Sequence, residues 1–320
     1  MTTHTSPAPI RIGISSCLLG EPVRYDGNHK RDPFITEVLA RYFEFVPVCP
    51  EVGIGLGVPR PPIRLVDTPD HPRAVGVRDP ALDVSDRLRV FGRRTATALS
   101  DLSGYLFKAR SPSCGLDRVP VYRTTGGVAG RGTGLYARQI VKRHPLLPVE
   151  EEGRLNDPAL RENFIERVFA YHRWRTLCAA RLTPRALVAF HAAHKLTLMS
   201  HGTEHYRTLG RLVADAGARS MQGLAAEYAT GFMGALRHLA TRRRHTNVLQ
   251  HLSGYLKRVL DRDDRAELQE TIEAYRTGLL PLVVPITLFK HHFRRQPDPY
   301  IAQQVYLHPY PEELMLRNHV

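Results

Sequence analysis

The sequence predicts an α/β domain with a mostly parallel sheet, followed by an all-α domain. Three observations predict it. Strand-like and helix-like segments alternate through roughly the first 140 residues, the pattern of a sheet covered by helices. Beyond residue 157 apolar residues recur at three- and four-residue spacing, as in packed helices. Between the two lies a proline-bounded, charged and aperiodic stretch, RHPLLPVEEEGRLND at 143–157, which reads as a boundary. A chain of 320 residues also exceeds one comfortable hydrophobic core. The expected domains are residues 1–148 and 149–320.

Each element has a local cause. Ile10–Ser15 and Phe43–Val48 are short apolar runs and read as strands. Asp32-Pro33 opens a helix over Phe34–Arg41, with the aspartate as cap and the proline in the first turn. A proline- and glycine-rich stretch runs from Pro50 to Pro62. Asp79–Asp101 carries Leu82, Leu88, Phe91 and Leu99 in a helical pattern. Gly104–Ala109 and Val119–Tyr122 read as the third and fourth strands. The glycine-rich loop TTGGVAGRGTG at 124–134 and a helix at Leu135–Arg143 complete this Rossmann-like half. The second half contains helices at Pro158–Ala180, Pro184–Ser200, Ala225–Arg242, Thr246–Asp261 and Asp264–Thr277. Asp263, Asp264 and Glu267 resemble a capping arrangement for the last of these.

A composition of 42% hydrophobic and 24% charged residues excludes a disordered or collagen-like chain. Four cysteines are too few for a disulfide-stapled secreted scaffold. The opening MTTHTSPAPI lacks the basic and apolar regions of a secretory signal. The longest apolar run, Leu279 to Phe289, contains Pro281 and Pro285 and falls far short of the ~20 residues of a membrane span. The expectation is a soluble cytoplasmic protein with reduced thiols and no membrane partner. Its net charge is +14, and each half carries seven more basic than acidic residues. The basicity is thus not a detachable tail. It is either a solvated arginine-rich surface or the footprint of a polyanion such as nucleic acid.

Three of the four cysteines stand just beyond expected strands: Cys17 after the first, Cys49 after the second and Cys114 after the third. In open parallel sheets ligands bind outside the carboxyl ends of strands, so the three can converge although far apart in sequence. Turn formers flank them (Gly20, Pro50, Pro112, Gly115), which suits a shared thiolate site better than three buried core residues. Three thiolates suit zinc with an open position or a 4Fe–4S cluster with one iron not held by protein, and spacing does not choose between them. Cys178, in WRTLCAA, reads as core.

The residues around these cysteines, SSCLLGEPVRYDGNHK (15–30), CPEVGIGLGVPR (49–60) and LFKARSPSCG (106–115), resemble the TudS-type thiouracil desulfurase family. The second half resembles the domain fused to it in RudS-type tRNA 4-thiouridine desulfidases, through FHAAHKLTLMSH (190–201), YRTLGRLVA (206–214), NVLQHLSGYLKR (247–258), PLVVPITLFKHH (281–292) and LHPYPEELMLRN (307–318). The resemblance implies a 4Fe–4S cluster held by Cys17, Cys49 and Cys114, with one iron free to bind the thiocarbonyl sulfur as a Lewis acid. It implies Glu51 as the general base and Ser111 as a proton relay or hydrogen-bonding partner of the substrate ring. The reaction is then a hydrolysis of thiouracil or 4-thiouridine that releases sulfide. Ser113 and Lys108, in the same motif, either position substrate or screen cluster charge or make ordinary loop hydrogen bonds, and Arg24, Tyr25 and Asp26 read as a turn and its packing, with closure over the base as the alternative. The helical half, with Arg242, Arg243 and Arg244, would grip tRNA; free thiobases are the smaller alternative substrate.

Two rival readings come from the residues themselves. His201-Gly202-Thr203-Glu204-His205 spells the inverted zinc-peptidase motif, with His194 on the same helical face, and would make a metal-dependent hydrolase. A basic RNA-binding or regulatory protein with a structural metal is the non-enzymatic rival. Glu51 beside an incomplete three-cysteine set argues against it, since structural sites are closed by four ligands. The 126–134 loop lacks both nucleotide-binding fingerprints and reads as a turn of the chain.

Overall fold

The computed structural model describes residues 9–319. These divide into two compact units that meet in sequence at Asn156 and Asp157. In order, the first unit contains β1 (Ile10–Ser15), β2 (Phe43–Val48), α1 (Pro50–Gly53), β3 (Ile63–Asp67), β4 (Pro72–Gly76), α2 (Ser85–Ala98), β5 (Gly104–Phe107), β6 (Val119–Tyr122), β7 (Val128–Gly132), α3 (Leu135–Arg143) and β8 (Val149–Glu151). Its main sheet runs β2-β1-β5-β8 with every pair parallel. Ile12 and Ile14 of β1 are fully buried, and Tyr105 and Phe107 of β5 stack with ring centroids 4.0 Å apart. A continuous apolar strand is what a sheet covered on both faces requires.

The α/β character is as expected, but the sheet is not single. Val119–Tyr122 belongs to a second sheet, β4-β3-β6-β7, in which only β3 and β6 run parallel. Its strands are short, and β7 (VAGRG) contains two glycines, so local strand propensity is weak. Pairing with β6 makes β7 a strand, and Gly126 and Gly127, both at positive φ, turn the chain before it. The 124–134 segment is therefore mostly a hairpin. The segment at Phe34–Arg41 is helical but wound as a π turn and a 3-10 turn. The helix expected over Asp79–Asp101 spans only Ser85–Ala98, because the chain before it pairs Asp83 with Val75.

The 143–157 stretch is not a structureless boundary. Val149–Glu151 pairs with β5 as the last strand of the main sheet, so the first unit runs on past 148 to Asn156. Its carboxylates are used internally. Glu151 Oε1 accepts from the Leu116 amide at 2.7 Å, and Glu152 Oε2 accepts from the Ala109 amide at 2.7 Å.

The second unit is helical: α4 (Pro158–Ala179), α5 (Pro184–Ala193), α6 (Lys195–His201), α7 (Thr203–Ala214), α8 (Met221–Leu236), α9 (Arg242–Leu256), α10 (Arg262–Thr277) and α11 (Val283–Arg295). Side-chain caps set several starts. Asp157 accepts from the amides of Ala159 and Leu160, Thr241 from Arg244, and Asp261, rather than Asp263, from Asp264. The run expected as one helix over Pro184–Ser200 breaks at His194. Pro285 lies in the first turn of α11, where its missing N–H has no helical partner to lose. Among the described residues no helix is long and apolar enough to cross a membrane.

The zinc-peptidase reading fails in this unit. His201 is buried, with Nδ1 at the His238 carbonyl and Nε2 2.9 Å from Glu166 Oε2. Both neighbours are acceptors, so the ring donates from both nitrogens and carries a positive charge. Neither nitrogen is left for a metal. Glu204 is exposed, and among the described residues no three His, Cys, Asp or Glu side chains are placed to hold one metal ion. Burial opposes charge on both partners. The pairing nevertheless holds His201 above its ordinary pKa and Glu166 below its own. Stability from Glu166 should be lost as pH falls below the usual carboxylate range, and stability from His201 as pH rises above the usual histidine value. His201→Ala leaves Glu166 as an uncompensated buried charge and should cost the helical unit about 3–5 kcal/mol. Denaturant unfolding near neutral pH checks this; an unchanged midpoint for the helical unit would contradict the buried ion pair.

Candidate active site

From the central strand β1 the chain first adds β2 on one side and later β5 on the other. This reversal opens a crevice at the carboxyl ends of the strands. All three first-unit cysteines arrive there. Cys17 sits on a 3-10 turn (Ser16–Leu19) directly after β1. Cys49 is the residue between β2 and α1, at the N-cap position of that helix but with no side-chain capping bond. Cys114 lies in the loop after β5. Together they line a cavity of about 360 Å³. Cys17 and Cys114 are buried and Cys49 is half-buried. Cys178 is exposed, not core, because the last turn of α4 runs past the packed interior, with Thr176, Ala179 and Ala180 exposed beside it.

The Cys114 loop is held by the start of α3. The Pro112 carbonyl accepts from the Leu135 amide, and the Ser113 carbonyl accepts from Tyr136 and Ala137, all at 3.1 Å. Gly134 permits this approach, since a Cβ there would stand 2.5 Å from the Ser113 backbone. Ser111 Oγ accepts from the amides of Ser113 at 3.2 Å and Cys114 at 3.1 Å. Both its lone pairs are thereby used, so its O–H remains as a donor for a cavity occupant.

Glu51, in the first turn of α1, faces the cavity with both carboxylate oxygens engaged. Oε1 accepts from Ser113 Oγ at 2.9 Å. Oε2 accepts from Arg60 Nε at 2.9 Å and is ion-paired with Nη2 at 2.8 Å. Ser113, expected as a substrate contact, is wholly buried, is not part of the cavity wall, and has its hydroxyl on Glu51. Lys108 does line the cavity, with its ammonium paired to Glu152 and 3.1 Å from the Ala109 carbonyl. Arg24 and Tyr25 line it too; Asp26 does not. Arg60, Glu151 and Glu152 escaped the sequence reading. An arginine is rarely buried unless paired, but no local pattern marks Arg60 as buried, and the acidic run at 150–152 would have gained meaning had it been read as a strand.

The electrostatics favour an anionic occupant. Arg24, Lys30, Arg60, Lys108 and Arg110 line the cavity against the single carboxylate of Glu51. Burial pushes the Cys17 thiol up to about 11, although nearby Lys108 pulls the other way. Burial also raises Cys49, and Cys114 lies well above its ordinary value. In the protein alone these groups stay thiols at neutral pH. A positive metal centre among them would reverse that preference.

In the helical unit the arginine cluster splits. Arg242 donates to the carbonyls of Tyr275 and Leu280, and its guanidinium lies 4.6 Å from the Tyr275 ring centroid. It is an internal brace, not a free phosphate contact. Arg244 is half-buried and donates to the Leu239 carbonyl at 3.4 Å, while Arg243 is exposed.

Comparison with known proteins follows the same division. Residues 12–152 match the family model of 2-thiouracil desulfurase. Residues 195–311 match a family described as a protein of unknown function, DUF1722. The uncharacterized protein YbgA of Escherichia coli (strain K12) is 34% identical over 153 residues, which is 48% of this chain and 90% of that protein. A solved structure described as a [4Fe-4S]-dependent thiouracil desulfidase, TudS, is 32% identical, covers 48% of this chain and 97% of its own, and superposes with a TM-score of 0.36.

Proposed function

We propose, from the premise that the chain belongs over residues 12–152 to the 2-thiouracil desulfurase family and over residues 195–311 to a family of unknown function, that it hydrolyses the thiocarbonyl of 4-thiouridine in tRNA or of a free thiouracil. The observation that carries the chemistry is the gathering of three thiols and one carboxylate around a single cavity. The reaction exchanges C=S for C=O at the cost of one water and releases hydrogen sulfide. Nothing is oxidised or reduced, so no electron donor is needed.

The donor set fits a 4Fe–4S cluster. All three cysteines line one cavity of about 360 Å³, and three thiolates suit a polynuclear group with one iron not held by protein. Cys17, Cys49 and Cys114 would hold three of its irons, and the basic lining would screen its negative charge. When bound, the cluster supplies a Lewis acid for the thiocarbonyl sulfur. Glu51 accepts the proton of the attacking water, using a lone pair that Ser113 and Arg60 leave open. Ser111 donates its hydroxyl proton to an acceptor on the pyrimidine ring. Anaerobically reconstituted protein should convert thiouracil to uracil with one sulfide per turnover. Protein that holds iron but releases no sulfide from either thiouracil or 4-thiouridine-containing tRNA would end this reading.

The helical unit is assigned the grip on tRNA. It is net basic, and phosphate contacts lose strength as salt rises because binding releases condensed counterions. Each such contact predicts a loss of roughly 3- to 4-fold in kcat/KM for tRNA between about 50 and 200 mM salt. Turnover of free thiouracil should change little over the same range. Equal salt dependence for the two substrates would remove the phosphate grip. A cytoplasmic location accords with free thiols and with tRNA as substrate.

A further inference from the structure

We propose that Arg60 is the positioning residue for Glu51, an inference that rests on the desulfidase reading for its kinetic consequence but not for its geometry. Glu51 stands on a helix of only four residues, Pro50–Gly53. So short a helix cannot by itself hold a long side chain in one rotamer. The guanidinium of Arg60 does it from outside. Nε and Nη2 converge on Glu51 Oε2, at 2.9 and 2.8 Å. Nη1 donates to the Gly57 carbonyl at 2.9 Å, and Nη2 also to the Val23 carbonyl at 3.0 Å. The guanidinium is thus fixed by two carbonyls besides the carboxylate it holds.

The backbone brings Arg60 back to Glu51. Between them the chain reverses through Gly55 and Gly57, at φ of 79° and 74°, a region that side-chain-bearing residues rarely enter. The Arg60 amide then donates to the Tyr25 carbonyl at 2.8 Å, which ties this loop to the segment after Cys17. The Arg60 side chain is only 4% exposed and that of Glu51 13%. Water therefore has little room to replace either partner. With Ser113 Oγ on Oε1, the carboxylate is held at both oxygens, and its plane is fixed relative to Cys49 two residues away.

Lysine cannot substitute. One ammonium has no fork with which to meet Oε2 twice and two carbonyls at the same time. Arg60→Lys should therefore release Glu51 while keeping the charge. Misplacing a reacting group by about 1 Å typically costs on the order of 100-fold. The expected loss in kcat on thiouracil is about 10- to 100-fold, with KM nearly unchanged. Iron content and visible absorbance should match the parent, since Arg60 is not proposed as a ligand. In the Glu51→Gln background, Arg60→Lys should have little further effect, because its catalytic contribution passes through Glu51.

The deciding measurement does not depend on the substrate. A crystal structure of Arg60→Lys protein should show the Glu51 carboxylate displaced or in more than one rotamer. An unmoved carboxylate overturns the assignment, as does an unchanged kcat or an additive loss in the Glu51→Gln background. If Arg60→Lys fails to fold, Arg60→Gln, which keeps a planar donor group, takes its place with the same expected outcomes. Absence of desulfidation in the parent, with Glu51 displaced in the variant, would refute the activity and leave the positioning role standing.

Discussion

Serine in place of Cys17, Cys49 or Cys114 is expected to remove most of the bound iron and all but a trace of desulfidation, while Cys178→Ser changes neither. Each sulfur comes from a different strand end of the same sheet, and among the described residues the cavity wall contains no fourth cysteine and no histidine to take over. A serine hydroxyl has nearly the same shape but does not ionise at neutral pH, so it cannot replace a thiolate. The raised pKa values of the three thiols add to the argument. Their thiolates form only with a compensating positive centre, so losing one ligand weakens the case for ionising the other two. The measurement is iron and acid-labile sulfide per chain after anaerobic reconstitution, alongside the visible spectrum. Full iron in Cys114→Ser protein would break the shared site. A colourless parent that binds zinc instead would replace the cluster with a different Lewis acid.

Glu51→Gln should separate the cofactor from the chemistry. The amide is nearly isosteric: its oxygen can still accept from Arg60, and its NH2 can donate to Ser113 Oγ. The loop and the three cysteines therefore stay in place, and the protein should reconstitute with the parent's iron content. The amide cannot take a proton from water, however, and loss of a general base typically lowers the rate by about 10²–10⁴-fold. Arg60 would then be a buried cation without its anion, so a fall in thermal stability should accompany the kinetic loss. The experiment compares kcat on thiouracil with iron content in the same sample. Parental turnover would place the base elsewhere in the cavity, and loss of iron would mean that Glu51 serves the metal site and not the water.

Sequence by itself determined the elements whose cause is local. The strands Ile10–Ser15, Phe43–Val48 and Val119–Tyr122 and the helix Leu135–Arg143 have the same bounds in the structure, because apolar runs and their turn formers lie within a few residues of one another. It also placed three cysteines at strand ends and Glu51 two residues from one of them. Tertiary structure alone decided what surrounds those residues. Ser113 meets Glu51 across 62 positions and Lys108 meets Glu152 across 44, and no local pattern records such pairings. The second sheet, the hairpin strand Val128–Gly132 and the edge strand Val149–Glu151 form because a neighbouring strand supplies hydrogen bonds that weak propensity could not justify. Arg242 reads as surface charge in a basic cluster, yet folding turns it onto Tyr275. His201 reads as a metal ligand, yet folding pairs it with Glu166 on another helix. The common reason is that polarity in a sequence shows which groups need partners, and only the packed chain brings those partners within hydrogen-bonding distance.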